Sequence, residues 1–240
     1  MPDASNQTLC EPRSPLLERL RQYPPVPRQW HTSGLAVLVA SGPSLTREDV
    51  AYCRRCVSRP HVLVVSDSWQ YAPWADALYS YEAAWWNHHQ GVPAFRGQKW
   101  SSVPLESTSR NVDLDIRPQA DSVEQWALQW VRGEDRLGLS FDPQLIHYGS
   151  NSGYQALNLA ILFGARRIVL LGYDMQSTGG REHFFGPHPH PLRRWSDFAK
   201  FADMFRAAVP DLAAHNIEVI NCSRETALDC FPRARLKDAL

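Results

Sequence analysis

Six short, mainly apolar runs are spaced along the chain, each bounded by polar or turn-forming residues. They predict strands at residues 34–40, 61–65, 77–79, 145–148, 168–171 and 218–221. Short runs that are apolar almost throughout are typical of parallel strands buried on both faces. Helical periodicity in the segments between them indicates alternating strands and helices.

Three of these intervening segments have recognisable helix signals. Thr46 and Asp49 have the spacing of a capping box, which predicts a helix over residues 46–57. A second helix is expected from Ser152 to residue 163, with Gly164 as its C-cap. A third follows from an apolar stripe formed by Trp195, Phe198, Ala202, Phe205 and Val209.

Residues 98–142 have a weaker pattern. We predict one helix over residues 123–131, within an excursion from the sheet that shapes an acceptor side. Taken together, the elements predict a single doubly wound, mainly parallel sheet with helices on both faces, a Rossmann-like variant of the glycosyltransferase-A type. Residues 1–33 are rich in proline and are expected to form an N-terminal arm, and residues 34–240 to form the α/β domain.

Composition narrows the function classes. The chain has 240 residues, with 25 Lys and Arg against 25 Asp and Glu, so net charge does not indicate a nucleic-acid partner. No apolar run approaches the roughly 18 residues of a membrane span, so we expect no membrane insertion. Five cysteines and no secretory signal pattern favour the cytoplasm. The Cys53/Cys56 pair lies inside the first predicted helix and is interpreted as ordinary helical cysteines.

Two turns have small residues where a helix begins. Ser41, Gly42 and Ser44 follow the first strand, and Ser152 and Gly153 open the second predicted helix. Free N–H groups at a helix N-terminus attract anions, so both turns are candidate nucleotide contacts around one pocket. The alternative for the first turn is an ordinary strand-to-helix connection with a good cap.

Three carboxylates follow predicted parallel strands, namely Asp67, Glu82 and Asp174. Parallel strands end at one edge of the sheet, so these side chains are expected to face one pocket and to perturb one another's pKa. They could contact a ribose or base, or hold Mg²⁺. The alternative is helix capping and solvated loop charge.

The peptide at residues 182–191 carries His183, His188 and His190 among prolines. Imidazole titrates near neutral pH, which makes a catalytic base plausible there. Two alternatives remain open, a zinc site that includes Asp174 and a loop of surface histidines. Trp85 and Trp86 offer either a stacking surface or core packing.

The order of these motifs resembles a known superfamily. The turns, the Gly-Tyr-Asp strand end and the His-Phe-Phe-Gly-Pro-His loop occupy residues 41–45, 152–164, 172–174 and 183–188. They resemble the bacterial sialyltransferases of the Campylobacter lipooligosaccharide type and the archaeal 6-hydroxymethylpterin diphosphokinase-like superfamily. The likeness covers residues 34–223 and is closest to small tailed-phage proteins of that group.

The resemblance implies which residues would act. The residues that would hold a nucleotide are Ser41, Gly42, Ser44, Ser152 and Gly153. His188 would be the base, with His183 beside it. Asp67 and Glu82 stand where the family has asparagines that contact the nucleotide, and Gln176 stands where a tyrosine helps the leaving phosphate.

These expectations favour a phage-type, nucleotide-dependent transferase in the host cytoplasm. It would move a glycosyl or related group from a nucleotide-activated small molecule to an acceptor that the sequence does not identify, with His188, His183 and Asp174 as catalytic residues. One alternative is diphosphokinase-like transfer from ATP with Mg²⁺ at the carboxylates. Another is a non-catalytic phage assembly protein that retains the fold. A homo-oligomer is an open expectation.

Overall fold

Eight parallel strands form one sheet in the computed structural model of the chain, which describes residues 24–104, 126–189, 192 and 196–240. The strands are β1 (Leu35–Val39), β2 (His61–Val65), β3 (Ala77–Tyr79), β4 (Gln98–Pro104), β5 (Leu128–Glu134), β6 (Leu145–His147), β7 (Arg167–Leu171) and β8 (Glu218–Asn221). The helices are α1 (Arg47–Arg55), α2 (Ala83–His88), α3 (Ser152–Leu162), α4 (Phe198–Ala214) and α5 (Leu236–Ala239), and a 3-10 turn covers Ser66–Gln70.

The strand order is β6-β5-β4-β3-β2-β1-β7-β8. From β1 the chain builds outward to β6, and α3 then brings it back to place β7 against the free side of β1. This reversal is a topological switch point. In open α/β sheets, the crevice at the carboxyl ends of the two strands that flank such a point is where ligands bind.

Both faces of the sheet are covered, and the strand pattern shows why. In β1, Ala36 and Leu38 belong to the core under α3 and α4, whereas Val37 and Val39 belong to the core under α1, α2 and α5. Successive side chains of a strand point to opposite faces, so an apolar run supplies two cores at once. The predicted doubly wound α/β fold is therefore confirmed. Among the described residues, no helix has the length and apolarity needed to span a membrane.

The helix α1 begins and ends as its sequence predicts. The Thr46 hydroxyl accepts a hydrogen bond from the Asp49 amide at 3.2 Å, and the helix ends at Cys56. Cys53 and Cys56 are buried and free, and burial raises the pKa of Cys53 to about 12. A thiol with so high a pKa is a poor nucleophile, in agreement with a structural role.

The helix predicted over residues 123–131 is wrong in its described part. Leu128–Glu134 is strand β5, which pairs with β4 in a parallel register from Lys99–Leu128 to Pro104–Gly133. Trp130 and Val131 fit a pleated surface, and pairing with a distant strand overrides the local pattern. Residues 98–104 and 128–134 therefore belong to the sheet and are not an excursion from it.

The described end of the predicted N-terminal arm packs into the core. Trp30 is 2% exposed, stacks on His61 with ring centroids 5.0 Å apart and contacts Phe163 at 4.5 Å. Its amide also donates to the Phe163 carbonyl at 2.8 Å.

Trp30→Ala is expected to lower the free energy of unfolding by about 3–5 kcal/mol, because it removes a large buried ring and leaves a cavity. Urea unfolding followed by circular dichroism measures this. Leu137→Ala is the control, since Leu137 is 68% exposed and should change stability by at most about 0.5 kcal/mol. Equal effects of the two substitutions would show that residues 24–33 do not contribute to the core.

Candidate functional site

A cleft of about 230 Å³ opens at the switch point between β1 and β7. Its walls come from the turn after β1, the end of β7, the first residues of α3 and α4, and the histidine loop. The residues that line it include Ser41, Gly42, Glu82, Ser152, Gly153, Asp174, His183 and His188. The two predicted site residues outside this lining are Ser44 and Asp67. The sequence-predicted residues thus converge at one edge of the sheet.

The ends of β1 and β7 meet so closely that glycine is required on both sides. A Cβ at Gly172 would lie 2.5 Å from the Ala40 carbonyl oxygen, and its φ of +68° also favours glycine. A Cβ at Gly42 would lie 2.4 Å from the Asp174 carboxylate. The Gly42 amide donates to the Gly172 carbonyl at 2.8 Å, which joins the two turns directly.

Asp174 braces the turn after β1. One carboxylate oxygen accepts from the Ser44 amide at 2.7 Å and the other from the Ser44 hydroxyl at 2.8 Å. Burial raises the pKa of Asp174 to about 6, helped by the nearby charge of Glu225 and opposed by the two bonds from Ser44. Ser44 and Asp174 therefore have a clear structural role, since they hold two walls of the cleft together.

The N-terminus of α3 forms the opposite wall. Asn151 caps the helix, with its side-chain oxygen accepting from the Tyr154 amide at 2.8 Å. The first helical amides, those of Ser152 and Gly153, have no acceptor earlier in the helix and lie at the cleft. Tyr173 supports this end from behind, because its hydroxyl donates to the Gly153 carbonyl at 3.1 Å.

Contacts with the turn after β1 hold the histidine loop, which carries His183 and His188, at the cleft. The Phe184 amide donates to the Ser41 carbonyl at 3.0 Å, and the Phe184 ring lies 4.1 Å from that of Tyr71. His183 Nδ1 lies 3.1 Å from the Ser41 hydroxyl. Burial, with a smaller effect from His188, lowers the pKa of His183 to about 4. His183 is therefore neutral at pH 7 and a weak base.

Asp67 lies behind the cleft and faces histidines. Its carboxylate is 3.2 Å from His89 Nε2 and 3.9 Å from His188 Nδ1, and it accepts from Trp85 Nε1 at 2.9 Å. Burial alone would raise the pKa of Asp67, but hydrogen bonds from His89 and Trp85 and the two imidazole charges lower it overall. A buried, ionised carboxylate next to an imidazole nitrogen can fix which nitrogen carries the proton.

The predicted mutual perturbation of the three carboxylates is wrong for Asp67 and Asp174. The pKa of Asp67 is lowered by histidines, and that of Asp174 is raised by burial and Glu225. The donor set also does not fit Mg²⁺, because Asp67 faces imidazoles and Asp174 is bonded twice to Ser44. Within the described residues, no three His, Cys, Asp or Glu side chains are grouped so as to hold a metal ion. His190, a candidate zinc ligand, lies outside the described residues.

Trp85 and Trp86 are core residues. They are 2% and 0% exposed, and Trp86 Nε1 donates to the Ser80 carbonyl at 2.9 Å. The core alternative is therefore confirmed for both, although Trp85 also borders the cleft with the little surface it exposes. Glu82 is the N-cap residue of α2 and lines the cleft.

Several cleft residues have no strong sequence signal. Ser66, Ser150 and Met175 line the cleft with φ values of +46°, +64° and +48°, a region that non-glycine residues seldom adopt. Such backbone strain concentrates at functional sites. Phe201 lies outside the predicted apolar stripe, and His89 becomes a partner of Asp67 only through the fold.

A second cleft, of about 1060 Å³, lies between α1 and the C-terminal segment. Five cations and three carboxylates line it: Arg55, Arg224, Arg233, Arg235, Lys237, Glu48, Asp49 and Asp238. Arg224 pairs with Asp49 and Arg235 with Asp238, each at 2.7 Å. Although larger, this cleft shares no lining residue with the cleft at the switch point and has no histidine in its lining, so we place the functional site in the smaller one.

Comparison with protein-family models, curated proteins and solved structures found no match for the chain. The site is therefore interpreted from its own geometry.

The raised pKa of Asp174 predicts a pH-dependent stability. Between about pH 4 and 6 the unfolded chain releases this proton before the folded protein does. The contribution of Asp174 to the free energy of unfolding therefore falls as pH rises, by up to about 3 kcal/mol. Asp174→Asn should remove this dependence.

The measurement is urea unfolding of wild type and variant from pH 4 to 7, compared as a difference so that other carboxylates cancel. Asp142→Asn is the control, because Asp142 is an exposed carboxylate that also accepts a backbone N–H, from Gln144 at 2.8 Å. If the wild type and the Asp174→Asn variant have parallel pH profiles, burial does not shift this carboxyl.

Proposed function

We propose that the cleft binds a nucleotide-activated small molecule and that the protein transfers a glycosyl or related group from it to an acceptor hydroxyl. The observation that carries the proposal is the meeting of two features at the switch point. The first residues of α3, Ser152 and Gly153, line the same cleft as His188, and Nδ1 of His188 lies 3.9 Å from the buried Asp67.

The phosphate end of the donor would lie at the start of α3. The first amides of α3 are hydrogen-bond donors, and the helix dipole adds a partial positive charge at this end of the helix. Charge develops on the nucleotide phosphate as its bond to the transferred group breaks. Fixed donors at that point therefore stabilise the transition state more than the ground state.

His188 would act as general base on the acceptor. Asp67 lies 3.9 Å from Nδ1, too far for a hydrogen bond, but its negative charge favours the tautomer with the proton at this nitrogen, which leaves the Nε2 lone pair for the acceptor. As the acceptor oxygen bonds to the transferred carbon, its proton passes to Nε2, and the bond to the phosphate oxygen breaks. His183 is the weaker candidate for the base, because its pKa of about 4 is far from neutral pH.

The first test is calorimetric titration with CMP, UDP, GDP and ATP, with and without Mg²⁺, followed by assays with sugar nucleotides of the base that binds. His188→Ala should lower kcat by about 10²–10⁴ while donor affinity is unchanged, because a general base acts only in the transition state. Unchanged turnover in this variant would contradict the assignment.

Asp67→Asn separates positioning from binding. We expect kcat to fall and the KM for the donor to stay constant, because Asp67 acts on His188 through its charge and does not line the cleft. Asp76→Asn is the matched control, since Asp76 lies 3.8 Å from His61 at the opposite end of β2. A rise in KM without a change in kcat would instead make Asp67 a donor contact.

A further inference from the structure

An aromatic stripe on α4 leaves the core and continues into the cleft. Phe198, Phe201 and Phe205 are spaced three and four residues apart and therefore share one helix face. Phe205 is fully buried, whereas Phe198 and Phe201 are half-buried and line the cleft. Two phenyl rings thus add apolar surface to a site that also has serine, carboxylate and imidazole side chains in its lining.

This stripe is tied to the start of α3 through one tyrosine. Tyr173 packs edge-on against Phe205, with ring centroids 5.8 Å apart, and its hydroxyl bonds the Gly153 carbonyl at 3.1 Å. A Cβ at Gly153 would lie 3.1 Å from the Tyr173 ring. The distance between the N-terminus of α3 and the aromatic wall, by which we mean the rings of Phe198 and Phe201, is therefore set by packing through Tyr173 and Phe205.

Phe198 and Phe201 stand edge to face, with centroids 6.4 Å apart and an interplanar angle of 86°. The helix end that carries these rings is capped, because the Asp197 side chain accepts a hydrogen bond from the Lys200 amide at 3.1 Å. Beside it, Ser196 donates to the Glu182 carboxylate at 2.7 Å, so acceptor oxygens adjoin the rings. Two perpendicular rings form an apolar corner, which can take the face of a planar heterocycle on one ring and its edge against the other.

We propose that Phe198 and Phe201 bind the base of the nucleotide, one ring stacking on its face and the other contacting its edge, while its phosphates lie at the N-terminus of α3. This rests on the proposed function and assigns the base-binding half of the same site. Because every base has a π-face, the wall contributes affinity for nucleotides in general.

The experiment compares three ligands on each variant by calorimetry: the nucleoside diphosphate that binds wild type most tightly, ribose 5-phosphate, and inorganic pyrophosphate. Phe201→Ala and Phe198→Ala should each weaken the nucleoside diphosphate by about tenfold, the size expected for one lost stacking contact. Affinity for pyrophosphate and ribose 5-phosphate should not change. Phe201→Tyr should retain nucleotide affinity, because it keeps the ring.

Phe141→Ala is the matched control. Phe141 is also half-buried and stacks on His215, but it does not line the cleft. Nucleotide affinity that is equal in wild type and in both alanine variants would overturn the inference. An equal loss of affinity for all three ligands would also overturn it. So would a loss of affinity for ribose 5-phosphate that equals the loss for the nucleotide while pyrophosphate binding is unchanged. If wild type binds neither pyrophosphate nor any nucleotide, the proposed function fails as well, an outcome that the wild-type titration alone reveals.

Discussion

The close approach of β1 and β7 at their carboxyl ends is the constraint on which the site depends. There is no room for a Cβ at Gly42 or Gly172, and Asp174 clamps the adjoining turn through both hydrogen bonds to Ser44. Chain reversal places the following helices on opposite faces of the sheet, which opens the crevice. The Ser41 carbonyl, held by this turn, then anchors the histidine loop through the Phe184 amide.

Asp174 and Asp67 are both buried near the cleft, but they have different surroundings. Asp174 satisfies backbone and hydroxyl donors, and its raised pKa shows the cost of burying its charge. Asp67 is also buried, but imidazoles and an indole surround it and keep it ionised. Asp67 therefore keeps a charge 3.9 Å from His188 Nδ1, whereas both carboxylate oxygens of Asp174 are bonded to Ser44 and hold the turn.

The sequence predicts six of the eight described strands, because buried parallel strands leave unbroken apolar runs, and it brings most of the predicted site residues to one cleft, because the strand ends share an edge. It fails where distant contacts decide the outcome. The local pattern of residues 128–131 predicts a helix where the structure has the start of β5, because that pattern contains no sign of the partner strand β4. The sequence groups three carboxylates, Asp67, Glu82 and Asp174, because all of them follow strands. The roles of Asp67 and Asp174 are instead decided by neighbours that are distant in the chain, such as His89 and Ser44. The resemblance to bacterial sialyltransferases and related proteins stays a prediction.

The central claim is that the cleft at the switch point, rather than the larger basic cleft, binds the nucleotide. Backbone amide chemical shifts of the isotope-labelled protein, followed during nucleotide titration, test it most directly. If the nucleotide binds at the switch point, the amide signals of Ser152 and Gly153 should move and saturate with the binding curve, together with the ring signals of His188. Saturating shifts at Arg224 and Lys237, with those of Ser152 and Gly153 unchanged, would contradict it.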